Sequence, residues 1–286
     1  MPGAEDYNID DRPAWCPGCG NFAILKCVKD VLADLGMAPH EVLLVSGIGQ
    51  AAKLPQYLRC NFFNGLHGRA LPVATGARLV NHGLPVIVTT GDGDCYGEGG
   101  NHFLHAMRRN INLKVFVHDN QIYGLTKGQA SPTSMEGMKT KVQTFGVLSE
   151  QLSPLTLAVA MDASFVARGF AGDHDFLKEL MKEAINHNGF ALLDILQPCV
   201  TFNKLNTFKW YRDRVYRIEP EYDPTDRVAA FKRSLEWGDK IPTGVIFKNN
   251  RSTLEERIPI IKDMPLVKQP FDPEKTLEEI KKELSP

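Results

Sequence analysis

Apolar residues along this chain alternate between two rhythms, helical spacing and short continuous runs, and the alternation predicts the fold. Between Asn21 and Gly36 the residues Phe22, Ile24, Leu25, Val28, Val31, Leu32 and Leu35 fall on one helical face, with Gly36 as a stop. Val42 to Ser46, Leu84 to Thr90, Leu113 to His118 and Phe190 to Leu196 are apolar runs of strand length. Leu71 to Asn81 and Asn101 to Arg109 read as helices, each ahead of a buried strand, and Asp175 to Asn188 is an amphipathic helix closed by Gly189. A looser stretch follows Ser131-Pro132-Thr133 and leads into the apolar segment Leu155 to Ala167. Repeated strand-helix-strand units predict an α/β fold, a mostly parallel sheet with helices on both faces and ligands at the carboxyl ends of the strands. Beyond Asn203 the composition turns charged and aromatic, with helices predicted over Asp226 to Trp237 and Lys275 to Leu284. The expected division is an N-terminal segment (1–20), a main domain (21–203) and a C-terminal extension (204–286), the last an arm packed on this domain or on a partner.

Composition alters this picture little. The 286 residues are 43% hydrophobic and 23% charged, ordinary values for a soluble globular protein, and a net charge of -1 offers no general attraction to nucleic acid or to an anionic membrane. Met1 to Pro13 is polar and acidic and lacks the basic-then-apolar order of a signal peptide, and no apolar run approaches a membrane span. A cytoplasmic protein is the expectation. Six cysteines are too sparse over this length for a disulfide scaffold, so ligand or core roles are expected of them.

Two constellations carry chemistry. Gly91-Asp92-Gly93-Asp94 follows one buried strand, and Asp119-Asn120 ends the next. The carboxylate of Asp92, the amide oxygen of Asn120 and a free carbonyl such as that of Ile122 are hard donors that suit Mg²⁺, which keeps its other positions for water and phosphate oxygens. Glycines on both sides of Asp92 allow a sharp turn and a close approach to a ligand. The pattern reads as a metal-diphosphate anchor. The second constellation is Cys16-Pro17-Gly18-Cys19, whose turn lets both sulfurs point to one centre, as zinc or an iron–sulfur cluster requires. Cys199 follows a strand on the edge that carries the other loops and is the strongest third ligand. Cys27, inside an apolar helix face, and Cys95 read as core residues.

The order Gly-Asp-Gly, then a helix and a strand, then Asn, resembles the signature of enzymes that use thiamine diphosphate, with Asp119 standing where many members have a first Asn. A fuller resemblance follows from motifs in order: Cys16-Pro-Gly-Cys19, Ser46-Gly-Ile-Gly49, Leu66-His-Gly-Arg69, Gly91-Asp-Gly-Asp94, Asn101-His102, Tyr123-Gly-Leu-Thr-Lys-Gly-Gln129 and Gln197-Pro-Cys199. Together they cover roughly residues 14 to 203 and are similar to the β subunits of 2-oxoacid:ferredoxin oxidoreductases. That resemblance implies thiamine diphosphate with Mg²⁺ and one [4Fe-4S] cluster. It implies Asp92, Asn120 and the Ile122 carbonyl on the metal, and the cofactor held around Gly47, Ile48, Gly49, His67, Gly91, Gly93, Asp94, Gly124, Leu125, Thr126 and Lys127. Many members read Gly-Ile-Gly-Cys where this chain has Gly47-Ile48-Gly49-Gln50, so the usual third cluster ligand is absent at position 50. Cys60, ten residues on, is the expected replacement beside Cys16, Cys19 and Cys199, with Cys95 or an incomplete cluster as alternatives.

The implied reaction is CoA-dependent oxidative decarboxylation of a 2-oxoacid, with electrons leaving singly through the cluster to ferredoxin, in a direction that a low-potential donor could reverse. The resemblance implies Lys53 near the substrate carboxylate and Lys127 near coenzyme A or the carboxylate, with Arg69 a further cation in the same loops and His67 hydrogen-bonded to cofactor or substrate, although a lone surface lysine or histidine is as readily solvated or structural. The likeness of Gln50 to Lys53 and Tyr123 to Thr133 to 2-oxoglutarate subunits puts that acid first, ahead of pyruvate and branched-chain 2-oxoacids. The glutamate that activates the aminopyrimidine has no domain here and is expected from a partner α subunit, or a fused γα chain, in a dimer of αβ units. Two competitors remain at this stage. A non-redox thiamine diphosphate-dependent decarboxylase subunit would share the Asp92 to Asn120 anchor but have no use for the thiols, and a zinc-stabilised interaction protein would need no diphosphate pocket.

Overall fold

The computed structural model describes residues 2–285. Strands β1 (Leu43–Ser46), β2 (Asn61–Asn64), β3 (Val86–Gly91), β4 (Lys114–Asp119), β5 (Phe165–Phe170), β6 (Ala191–Leu196), β7 (Val215–Arg217) and β8 (Ile241–Lys248) form a single sheet in the order β2-β1-β3-β4-β6-β5-β8-β7. Every pairing is parallel except β5 with β8. Helices α1 (Gly20–Asp34), α2 (Ala70–Val80), α3 (Gly100–Arg109), α4 (Pro154–Ala160), α5 (His174–Asn186), α6 (Phe208–Arg212), α7 (Arg227–Ser234), α8 (Leu254–Arg257) and α9 (Pro273–Leu284) complete the fold.

Successive strand residues point to opposite faces, and each face is covered. Leu44, Ile87, Phe116, Leu193 and Ile195 pack with α1 and α5, whereas Val45, Val88, Val115, Val117 and Leu192 pack with α2, α3 and α4. Burial on both sides explains why these strands read as continuous apolar runs. His118 lies in β4 wholly buried, its Nδ1 2.7 Å from Asn21 Oδ1 on α1. His187, after α5, places Nε2 2.9 Å from the Ser164 hydroxyl.

The extension beyond Asn203 is more than an arm. β8 pairs with β5 and β7 with β8, so the sheet continues across the expected boundary. Pro242 and Gly244 hide β8 in the sequence. Gly244 has a positive φ of 136° yet pairs in register with Arg168, Pro242 pairs with Tyr216 of β7, and the register against β5 shifts at a β-bulge between Val166 and Ala167. Farther on, Asn110 Nδ2 donates to the carbonyls of Arg251 and Ser252, and buried Glu255 pairs with Arg78 Nε at 2.8 Å. Only α9 fits the arm expectation, leaving Leu277, Ile280 and Leu284 exposed. The stretch Leu155 to Ala167 divides into α4 and the start of β5, because the chain turns at Asp162, a left-handed residue with φ 57°. β2, Asn-Phe-Phe-Asn, is exposed along its length and lacks the burial signature by which the other strands were read.

Burial holds both imidazoles neutral, pushing His118 down to about 3 and His187 down to about 4. An unfolded chain takes up those protons near pH 6.5, so this stability is complete above that value and is lost as pH falls toward the folded values. Below pH 6.5 each histidine is expected to cost about 1.4 kcal/mol per pH unit. Urea unfolding from pH 7 to 4.5 should show it, and His187→Gln should remove about one proton from the slope.

Candidate active site and thiol cavity

β1, β3, β4 and β6 end on the same sheet edge, where the loops after β1, β3 and β4 and the turn into α2 enclose a cleft of about 480 Å³. Ile48 and Gly49 come from the loop after β1, His67 from the loop before α2, and Gly91, Asp92, Gly93 and Asp94 from the end of β3. Asn120, Ile122, Gly124, Leu125 and Thr126 follow β4. Asp94 binds these loops together. Its Oδ1 accepts from the backbone N–H groups of Ile48 (3.1 Å) and Gly68 (2.7 Å), and its Oδ2 accepts from the Thr90 hydroxyl at 2.6 Å. His67 Nδ1 lies 2.7 Å from the same Oδ1 and 3.5 Å from Glu98, an ion-pair contact without hydrogen-bond alignment. Close approach demands glycine at two points. A Cβ on Gly93 would stand 2.2 Å from the Tyr123 ring, and one on Gly68, where φ is 69°, would stand 2.4 Å from the Glu98 backbone.

The oxygen donors expected for a hard cation, Asp92, Asn120 and Ile122, line the same cleft. Asn120 Oδ1 accepts the Ile122 N–H at 3.1 Å, an Asx turn that aims the following backbone, and Asn120 Nδ2 donates to Gln197 Oε1 at 3.1 Å. Asp92 is buried, with Oδ2 2.7 Å from the Thr133 hydroxyl, which is also 2.8 Å from Asp119 Oδ1. The Thr133 hydroxyl therefore offers its one proton between two carboxylates. Burial, with the nearby charges of Asp194 and Asp92, pushes Asp119 well above the usual carboxylate range. Burial also raises Asp92, so a cation there would restore the charged form that desolvation opposes.

Beyond Asn120 lies a second cavity of about 420 Å³, walled by Cys16, Cys19, Cys199, Asn21, Gln50 and Gln197 among others. Gln50, Asn120 and Gly124 line both spaces and separate them. Cys19 caps α1, and burial raises its thiol to about 11, with the nearby sulfurs of Cys199 and Cys16 pushing the same way. Gln197 Nε2 donates to Cys19 Sγ and the Phe202 N–H to Cys199 Sγ, each at 3.5 Å. Asn21 Nδ2 and Gln50 Oε1 are buried in this wall without hydrogen-bond partners. Polar orphans beside three thiols fit an inorganic cluster, whose sulfides and irons would engage them. Among the described residues, no three His, Cys, Asp or Glu side chains are drawn close enough to enclose a single ion.

Cys60 does not join this group, which corrects the expectation from sequence. It immediately precedes β2, whose first residue Asn61 pairs with Leu43 at the start of β1, so it sits at the amino end of the sheet and the three thiols at the carboxyl end. It packs against the core cluster, and burial raises its thiol to about 12. Cys95 is fully buried under α2 and α3 and is equally remote in role. Gly47 lies behind the cleft wall against Asp94, Lys53 is half-buried in the turn Ala51–Tyr57, and Arg69 and Lys127 are exposed outside the cleft lining, Lys127 with a positive φ of 73°. Sequence reasoning gave no role to Thr133 or Gln197, although both fall in motifs it had quoted, and it missed the Tyr123 hydroxyl, 3.1 Å from Glu98.

The family model described as thiamine pyrophosphate enzyme, C-terminal TPP binding domain, matches residues 45–195, and the one for the C terminal of the pyruvate ferredoxin oxidoreductase beta subunit matches residues 199–263. The 2-oxoacid:ferredoxin oxidoreductase subunit beta of Saccharolobus solfataricus is 46% identical over 258 residues, covering 85% of each chain. The chain belongs to the 2-oxoacid:ferredoxin oxidoreductase β subunits. Another relative of this β subunit is the 2-oxoglutarate synthase subunit KorB of Methanocaldococcus jannaschii, 37% identical over 204 residues, 71% of this chain and 76% of that one. A solved 2-oxoglutarate:ferredoxin oxidoreductase from Magnetococcus marinus, with 2-oxoglutarate, coenzyme A and succinyl-CoA bound, superposes with a TM-score of 0.92 at 36% identity, covering 100% of this chain and 97% of that one. Within the β subunit the second family match begins at Cys199, where the chain leaves β6 to wall the thiol cavity.

The two aspartates of the cleft should behave oppositely on substitution. Asp94→Asn leaves one acceptor oxygen for several donors and is expected to lower unfolding free energy by about 2–4 kcal/mol. Asp92→Asn removes a buried charge and should leave thermal stability unchanged or raised. Calorimetry of the two variants checks the contrast.

Proposed function

We propose that this β subunit supplies the diphosphate half of a thiamine diphosphate site and the first electron acceptor for oxidative decarboxylation of 2-oxoglutarate to succinyl-CoA. The observation that carries the reading is the shared wall. One amide, Asn120, faces a hard-donor cleft on one side and a three-thiol cavity on the other, and Gln197 joins Asn120 to Cys19. When bound, thiamine diphosphate supplies a carbon nucleophile and electron sink, and a [4Fe-4S] cluster accepts electrons one at a time for passage to ferredoxin.

The chain's own residues position and insulate. Asp92, Asn120 and the Ile122 carbonyl would hold Mg²⁺ at the diphosphate, while the Gly91 to Gly93 turn would let the backbone come close and Asp94 keeps the Ile48 and Gly68 loops in place. Thr133 keeps the Asp92 carboxylate oriented through its hydroxyl. His67, in contact with Asp94 and Glu98, lines the cleft and would orient groups there, and Lys53, Arg69 and Lys127, which lie outside the cleft lining, would supply positive charge around it for the substrate carboxylate and the phosphates of coenzyme A. Support for 2-oxoglutarate comes from the relatives named for it and from the solved enzyme that holds it.

The pyrimidine-side glutamate comes from the partner α subunit. In support, β2 is an edge strand beside the cleft loops with Phe62 and Phe63 exposed, and Leu66 is 76% exposed, an apolar rim of the kind that a neighbouring chain buries. No helix among the described residues is long and apolar enough to cross a membrane, in keeping with an assembly of αβ pairs in the cytoplasm that meets ferredoxin in solution. Viologen reduction by the αβ complex, with coenzyme A and each of 2-oxoglutarate, pyruvate and two branched-chain 2-oxoacids, tests the reading. The highest kcat/KM is expected for 2-oxoglutarate, with no turnover by the isolated chain. Asp92→Asn and Asn120→Ala should each weaken Mg²⁺-dependent thiamine diphosphate binding by at least about tenfold, roughly 1.4 kcal/mol, and unchanged binding in both would refute the assignment.

A further inference from the structure

The thiol cavity contains three cysteines, and the other three cysteines of the chain lie elsewhere. Cys60 lies at the opposite end of the sheet, Cys95 is fully buried under α2 and α3, and Cys27 sits inside α1 against the His174 carbonyl. None of these can reach the cavity without unpairing β2, emptying the core under α2, or unwinding α1. A cubane bound here therefore has a corner without a thiolate of this chain.

Gln50 occupies the wall between that cavity and the cofactor cleft. Its backbone carbonyl is fixed by the Trp15 indole N–H at 2.9 Å, and Trp15 is itself clamped edge-on by Phe22 and Tyr57 immediately before Cys16. Its carboxamide oxygen is buried with no hydrogen-bond partner, an arrangement that costs about 1–3 kcal/mol unless something meets that oxygen. Asn21 Nδ2, an unpartnered donor on a residue 1% exposed, lines the same cavity and would serve a sulfide or thiolate.

We propose that the cluster is held by Cys16, Cys19 and Cys199 alone, with its fourth iron facing the Gln50 carboxamide on the side of the cofactor cleft. The inference rests on the iron–sulfur centre proposed above. Oxygen is a poorer ligand than thiolate for cluster iron, so this corner is the labile one. One-electron oxidation by ferricyanide releases it: [4Fe-4S]²⁺ gives [3Fe-4S]⁺, Fe²⁺ and one electron, which reduces ferricyanide to ferrocyanide.

The test uses the anaerobically reconstituted αβ complex, followed by iron and sulfide analysis and EPR before and after one equivalent of ferricyanide. The native complex is expected to lose roughly one iron in four and to develop a three-iron signal. Gln50→Cys, which supplies a fourth thiolate, should keep its iron and show no such signal. Cys60→Ser should match the native complex in iron content before and after oxidation. Retention of all iron by the native complex, or loss of iron on Cys60→Ser alone, overturns the three-thiolate assignment while leaving the cluster itself standing. Absence of iron and sulfide from every reconstituted sample overturns the cluster reading as well.

Discussion

The carboxylate of Asp94 sets the shape of the site. It is buried at the end of β3 and receives the Ile48 and Gly68 N–H groups and the Thr90 hydroxyl, so it draws the loop after β1 and the turn into α2 against the central strand. A parallel sheet opens its carboxyl edge between strands, and something must fix the loops that cross it. Here a single anion does so with charge-assisted hydrogen bonds in a low-dielectric setting, where such bonds are strong and their loss is expensive. The neighbouring Asp92, two residues earlier, is left with fewer partners and a charge that burial disfavours. Adjacent carboxylates thus divide their tasks, one structural and one open to a cation.

The same division extends along the edge. Asn120 turns the chain through its side-chain oxygen, and through its nitrogen it reaches Gln197, which in turn donates to Cys19. Asn203 then donates to the Asn120 carbonyl, closing the segment after β6 over the segment after β4. Short polar contacts therefore connect the cofactor cleft to the thiol cavity without an intervening layer of core. Proximity of this kind is what the proposed electron transfer requires, and it couples the positions of the two sites, since displacing Gln197 would disturb both.

Part of the fold was legible because burial on both faces writes a continuous apolar run into each central strand. β1, β3, β4 and β6 were found in this way, together with the helices between them. In the strands that escaped notice that signal is absent or interrupted. β2 is exposed along its length, β5 is broken by Arg168 and Gly169 although all of it is buried, β7 has only three residues, and β8 carries Pro242 and Gly244, which read as a loop. In the site, Asp92, Asn120 and the glycine turns could be read from local chemistry. Thr133 and Gln197 could not, because their roles depend on partners 41 and 77 residues away.

The amino-acid sequence by itself determined the alternating helices and strands, the edge on which the glycine loops would gather, and the oxygen and sulfur donors that those loops carry. These follow from period, turn chemistry and ligand type, all of which are local. Which thiols share a cavity was decided only by the tertiary structure. Cys60 is closer in sequence than Cys199 to the cofactor loops, yet strand direction carries it to the far end of the sheet, and parallel pairing brings Cys199 back beside Cys16 and Cys19. Register and strand polarity place a side chain in space, and neither can be read from the residues beside it.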